Sequence, residues 1–464
     1  MVAISRARRA DLARRARDIR QECERQGMGA LQVAEVILRQ MPDILPLEAW
    51  RLARGWSRDR AVAELVALYE AEGRPVPAVN GAMLCRWDHG TVAMSPDYEH
   101  MLCRLYHVSP EQVRPGAATP RHFKSVTQRH GATTLHGGSH DDEGIDPMRR
   151  RTLLTAAGLS VPLSLLQRLD DALAVPPQPG RSVEPAQLAQ LLRTARAQFD
   201  ASELAALLAS MPGLLAVTRE TAGRVDTPAA WAMLAAGYNI ATDTLNKVGN
   251  RSSARITADR AMLYADRSDD PVAKAASARA LGMMLRKQGR PDLATSVMTK
   301  GVDGLAVTGL RTSTEAATHL RLLCARAYTY AWAGDRSRAL EGITEAERAA
   351  TRIPAMLPFT ILYRVDIHYA LGDAGTALHA ARNLRTDMYR TPERRGRLHT
   401  DLARAWWQWG KPEQAAQELL TAYRHAPAEV RDRPSIRKIA AELVERHPRT
   451  PGVRHLAALA SPLT

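Results

Sequence analysis

The amino-acid sequence predicts an all-α fold in which a small N-terminal helical module precedes a solenoid of repeated helical hairpins. Three observations predict it. Ala and Leu, both strong helix formers, dominate the apolar residues, and no long stretch is rich in the strand formers Val, Ile and Thr. A glycine followed five residues later by alanine recurs five times in the second half of the chain. Between those marks the apolar residues fall at helical spacing, interrupted by Pro- and Gly-rich stretches.

Composition narrows the class further. The chain has 464 residues, 45% of them hydrophobic, so more than one buried core is expected. The formal net charge of +15 is carried by Arg far more than by Lys. Such a balance permits nucleic-acid or other anionic partners without establishing one. The excess sits in the N-terminal arm and the last third of the chain, whereas acids and bases roughly cancel from Leu45 to Gly116. Cys23, Cys85, Cys103 and Cys324 form no CxxC pair and no metal-finger spacing, which fits a reducing cytosol. The N-terminus lacks the apolar core of a secretory signal, and no apolar run of about 20 residues is present. The expectation is a cytoplasmic protein with no membrane partner.

The chain divides into five parts. Residues 1–44 read as a basic helical arm containing Arg8, Arg14, Arg15, Arg17 and Arg20, and residues 45–115 as a compact module. Residues 116–185 read as a linker, polar and Gly-rich at first and closed by AVPPQPGRSVEP. Residues 186–447 carry the repeats, and 448–464 form a tail. Within the linker, Arg149-Arg150-Arg151 and the apolar run after them resemble a twin-arginine export signal. A coherent module precedes them, so the segment reads instead as an amphipathic helix running through Leu165, Leu166 and Leu169. His122, His130, His136 and His140 also lie in the linker, beside Asp141, Asp142 and Glu143. A metal site needs a fixed frame that such a stretch does not supply, so none is expected.

In the 45–115 module, Leu47 to Gly55 predicts a first helix, and Trp56-Ser57-Arg58 a turn with Ser57 as N-cap of a second. Gly73-Arg74-Pro75 predicts the next turn, with a third helix starting near Ala78 and closing at Arg86-Trp87-Asp88-His89-Gly90. Leu102, Leu105, Tyr106 and Val108 predict the last core helix. The pattern resembles the helix-turn-helix domain of Cro/C1-type repressors, with about a dozen extra residues, Ala67 to Pro77, between its second and third helices. The resemblance implies DNA binding through Val79, Asn80, Met83 and Arg86, with Asn80 on adenine and Arg86 on guanine or phosphate. The arginines of the arm would supply phosphate contacts. The near-neutral charge of the module keeps a second reading open, a protein-interaction scaffold whose degenerate helix-turn-helix no longer binds DNA.

The repeats are marked by Gly249/Ala254, Gly289/Ala294, Gly334/Ala339, Gly372/Ala377 and Gly410/Ala415. Seven residues before each glycine stand Thr242, Gly282, Ala327, Val365 and Ala403, and four before it Leu245, Leu285, Tyr330, His368 and Trp406. Small-then-large, then Gly, then Ala resembles the tetratricopeptide repeat, although the spacings of 40, 45, 38 and 38 residues exceed that family's usual ~34. The resemblance implies a superhelix with a concave groove for a peptide or protein segment. By spacing, Asn239, Asp243, Asn246, Arg279, Arg286, Arg321, Tyr328, Arg397 and Arg404 face the groove, with Met283, Asp366, Tyr369 and Trp407 beside them. Asparagine amides suit a peptide backbone, and the arginines suit an acidic segment or a free carboxylate.

The whole is similar to actinobacterial helix-turn-helix regulators with C-terminal tetratricopeptide repeats. In architecture it is also similar to the peptide-sensing quorum regulators of Gram-positive bacteria. Ala258-Asp259-Arg260-Ala261, Ala265 and Ser268-Asp269-Asp270-Pro271 carry the first likeness. It implies transcriptional control with DNA and a peptide or protein as partners, and leaves a homodimer open. GxxxxGK[ST], GxGxxG, HExxH and GxSxG are all lacking, so neither an enzyme nor a cofactor is expected.

Overall fold

The computed structural model describes residues 6–90, 92–113, 161–177 and 183–460, and among them every regular element is helical. The four linker histidines and the paired arginines at 149–151 lie outside the described residues. The described residues fall into two compact units. The first draws on Met1–Pro75, Leu84–Ala93 and Glu99–Ala156, and the second on Val76–Met83, Met94–Tyr98 and Ala157–Thr464. No described helix is long and apolar enough to cross a membrane.

The first unit is built from α1 (Arg6–Arg25), α2 (Ala30–Gln40), α3 (Pro46–Ala53) and α4 (Arg58–Ala71), together with most of α5 (Gly81–Asp88) and α6 (Pro96–Tyr106). The basic arm is a docked helix: Leu12, Ala16 and Cys23 of α1 are buried, whereas Arg14, Arg15 and Arg17 stay exposed. Ser57 caps α4 as expected, accepting from the Arg60 amide at 3.1 Å. The helix ends before Gly73, whose φ of +63° fits glycine in the turn. Asp88 closes α5 inside the unit, where it accepts from Arg51 Nε and Arg58 Nε at 3.0 Å each. A buried carboxylate is tolerated there because two guanidiniums meet it.

The second unit begins earlier in the chain than the sequence reading placed it. In α7 (Leu163–Ala174), Leu169 and Leu173 join one core with residues of α8 (Pro185–Asp200) and α9 (Leu204–Val225). This stretch is part of a packed unit rather than a linker, because its apolar face has a partner. Five helical hairpins follow: α10 (Pro228–Val248) with α11 (Arg251–Ser268), α12 (Pro271–Lys287) with α13 (Pro291–Ala306), α14 (Ser313–Trp332) with α15 (Arg336–Ala350), α16 (Leu357–Ala370) with α17 (Ala374–Ala380), and α18 (Pro392–Trp409) with α19 (Pro412–His425). Five of these ten helices open on proline, and Thr227, Asp270 and Thr391 cap three of the five. Asp270, for example, accepts from the Val272 amide at 2.7 Å.

The five expected glycines make the five hairpin turns, each left-handed with φ between +74° and +86°. The alanines that follow them are fully buried. Gly282 shows what the small position does. A Cβ there would stand 2.6 Å from Met298 and 3.1 Å from the Ala294 carbonyl of the paired helix. After the hairpins, α20 (Pro427–Arg431), α21 (Pro434–Arg446) and α22 (Val453–Ala460) complete the unit. Val453 and Leu456 are buried in one core with α19 and α21, so residues 448–460 are packed structure rather than a tail.

The array closes on itself. Lys247, at the end of α10, pairs with Glu393 of α18 at 2.8 Å and with Glu429 of α20. Beside it, a Cβ on Gly249 would come 2.6 Å from the Pro434 ring. The segment Met94–Tyr98 lies over the turns of the third and fourth hairpins. A Cβ on Gly334 would meet Pro96 at 2.7 Å, and one on Gly372 would meet the Tyr98 ring at 2.5 Å. Beneath it, Arg336 donates to Asp97 Oδ2 at 2.8 Å and to both oxygens of Asp373, while the Tyr98 hydroxyl donates to Asp373 at 2.8 Å. Arg336, Asp97 and Asp373 are each 2% exposed and Tyr98 is fully buried. Burial pushes the Asp373 carboxyl up, but His368, Arg336 and Tyr98 outweigh it and hold it below the usual carboxylate value.

Candidate functional site

The inner helices of the five hairpins, α10, α12, α14, α16 and α18, bring the expected groove residues together with a second set that sequence spacing did not suggest. Asp243 takes both of its 3.0 Å bonds from Arg279. Asp366 and Asp401 share two arginines. Arg397 reaches Asp366 at 2.9 Å and Asp401 at 3.1 Å, and Arg404 reaches each at 3.2 Å. Burial and Asp401 raise the Asp366 carboxyl, whereas Arg397, Arg433 and Arg404 overcome burial at Asp401 and hold it low. Arg404 also covers the Tyr369 ring at 4.0 Å.

These pairings engage three of the arginines that the spacing places on the groove face. Arg279 braces one inner helix to the next through the half-buried Asp243, and Arg397 and Arg404 do so through the buried Asp366. Asn239 likewise donates to Ser277 of the neighbouring inner helix at 3.0 Å, although its Oδ1 is buried without a partner. Trp407 is buried against the C-terminal helices, with its ring edge-on to His447, and does not line the interior. Asp401, Lys247 and Lys287 were missed by the spacing argument. For Asp401 the signal was present: Arg397, Asp401 and Arg404 stand at i, i+4 and i+7, where helix neighbours pair. Lys247 and Lys287 have no such local mark, since their partners lie far away in sequence.

Two interior cations, Arg286 and Lys287, and the exposed Arg321 have no carboxylate within ion-pair distance among the described residues. Arg286 is only 6% exposed. It donates to the Thr329 hydroxyl at 3.1 Å and lies over the Tyr328 ring at 4.5 Å. Tyr328 itself meets Tyr363 edge-on. Lys287 donates to the Asn246 side-chain oxygen, while the Asn246 amide nitrogen faces Met283 Sδ at 3.5 Å. Burial, then Arg286, Arg433, Arg251 and Arg397, push the Lys287 ammonium down to about 7. Arg321 is exposed on α14 and is also pushed down, by partial burial and then by Arg394, Arg196 and Arg279. The interior therefore carries more positive charge than its own acids neutralise, and it can hold an anion.

The residues expected to read DNA sit differently. The Asn80 side chain caps α5, accepting from the Met83 amide at 2.8 Å. Met83 is 1% exposed and belongs to the core, while Val79 and Arg86 are half-buried. Asn80 thus caps the helix and Met83 lies in its core. A side chain near a helix start serves the orphaned amides first, and an apolar residue in a short helix faces its core.

No protein-family model matches the chain, and no curated protein matches it.

Proposed function

We propose that the protein is a ligand-responsive cytoplasmic transcription regulator. In this reading the N-terminal helices form a helix-turn-helix that binds DNA, and the hairpins form a tetratricopeptide-type array that holds a peptide or protein segment in its interior. One observation carries the reading. Residues 76–83 and 94–98, which flank residues 84–93 in the chain, pack with the hairpin array. A ligand that changes the array acts directly on the first turn of the candidate recognition helix α5 and on the segment that follows the helix. The exposed Arg14, Arg15 and Arg17 of α1 support DNA phosphate contact.

The test is binding of the full chain to genomic DNA fragments across a salt series. Affinity should fall steeply with salt, and Arg14, Arg15 and Arg17 together replaced by Gln should flatten the slope by up to about three. Affinity that ignores salt, or its absence, would remove the DNA half of the reading. The capping role of Asn80 and the burial of Met83 favour the second reading, a scaffold whose helix-turn-helix no longer binds DNA. Mapping occupancy along the genome separates the two, because a scaffold leaves no discrete bound sites.

A further inference from the structure

We infer that Asn246, Arg286 and Lys287, in the last turns of α10 and α12, form an internal site for a compact oxyanion, a phosphoryl or carboxylate group. The inference rests on reading the array interior as the ligand site, and it names the chemistry of what binds there. Arg286 is more than nine-tenths buried and has only a hydroxyl and an aromatic face as partners. Lys287, the next residue, has only the Asn246 amide oxygen. A buried cation normally meets a carboxylate, as Arg279, Arg397 and Arg404 do in this same interior. Two adjacent cations without one leave a place for an anion that the described residues do not supply.

The ligand is compact because this end of the interior is closed. Lys247, the residue after Asn246, is tied across to Glu393 and Glu429, and Gly249 lies against Pro434. These contacts cross the end of the interior beside Asn246, which suits a small oxyanion or the charged terminus of a segment better than an extended one. The charged groups around Lys287 come from several elements. Arg286 shares its helix, Arg251 opens α11, Arg397 belongs to α18 and Arg433 precedes α21. The nearby acids are already engaged: Glu429 with Lys247 and Arg433, and Asp366 and Asp401 with Arg397 and Arg404. The site therefore repels protons until an anion enters, and binding draws one in.

The test uses the full chain, with pyrophosphate, citrate and an acidic peptide bearing a free C-terminal carboxylate as probes, and sodium chloride at matched ionic strength as control. Calorimetry in two buffers of different ionisation heat reads affinity and proton uptake between pH 6.5 and 8.5. Pyrophosphate or citrate should bind with uptake of a proton above pH 7, and affinity should fall about tenfold or more over that range, because the bound anion raises the Lys287 ammonium. Lys287→Gln should lose at least about tenfold in affinity together with the proton uptake. Lys287→Arg should bind without proton uptake, which keeps the inference testable where the neutral variant folds poorly.

Thermal scans give a second readout. Without anion, Lys287→Met should be more stable than the parent at pH 7, since it removes a desolvated charge that has no carboxylate among the described residues. A less stable Lys287→Met would mark Lys287 as a helix-end brace and overturn the inference. Stabilisation by chloride equal to that by the probes would also overturn it. Peptide binding that is lost in Arg321→Gln but unchanged in Lys287→Gln would leave the groove reading standing and remove the oxyanion site.

Discussion

Replacing Arg336 by Met tests the cluster that holds Met94–Tyr98 on the third and fourth hairpins. Arg336 binds Asp97 at 2.8 Å and both oxygens of Asp373, and all three side chains are buried. Met fills a similar volume but leaves two carboxylates without their cation. Removing one partner of a buried pair costs about 3–5 kcal/mol, because the remaining charge is neither solvated nor paired. In a unit of this size that corresponds to a drop in Tm of roughly 5–15 °C. Hydrogen exchange should localise the loss to residues 94–98 and to the hairpin turn at 371–373.

The pH dependence of that variant has a definite sign. In the parent, Asp373 titrates below the usual carboxylate value. Its contribution is therefore present above the unfolded pKa of about 3.9 and is lost as pH falls through the lower, folded value. In Arg336→Met, Asp373 loses its guanidinium partner, so burial raises it, and protonation relieves part of the penalty. The stability gap between parent and variant should be largest near pH 7 and should shrink towards pH 4. Adding Asp97→Asn and Asp373→Asn to the variant should recover much of the loss. A gap below about 1 kcal/mol at pH 7, or one of equal size at pH 4, would refute the argument.

Two further predictions concern positions whose roles differ from what their spacing suggests. Gly372→Ala should destabilise more than Gly289→Ala in denaturant melts. Both turns are left-handed, at φ +86° and +74°, but only at Gly372 would a Cβ collide, 2.5 Å from the Tyr98 ring. The Gly289 variant should cost about 1 kcal/mol from backbone strain alone. Asn80→Ala should cost about 1 kcal/mol of stability by uncapping α5, and any loss of DNA affinity should be similar across DNA sequences. A loss confined to sites with adenine at one position would show that Asn80 reads a base instead.

The sequence by itself determined the all-helical class and the positions of the five hairpins. Those features depend on short-range physics: a left-handed turn favours glycine, and two helices pack closely where small residues face each other. Gly249, Gly289, Gly334, Gly372 and Gly410 therefore stood out in one dimension, as did the Ser57 cap and the Gly73 turn. Tertiary structure decided which charges in the interior are available. Spacing placed Arg279, Arg286, Arg321, Arg397 and Arg404 on one surface but could not tell a braced arginine from a free one. The carboxylates that neutralise Arg279 and Arg397 include Asp243, 36 residues from its partner, and Asp366, 31 residues from its own. The closure of Lys247 onto Glu429 spans 182 residues, and the seating of Tyr98 on Asp373 spans 275. No local pattern encodes such pairs, because only chain folding brings those groups out of water together and leaves Lys287 with an amide oxygen and no carboxylate among the described residues.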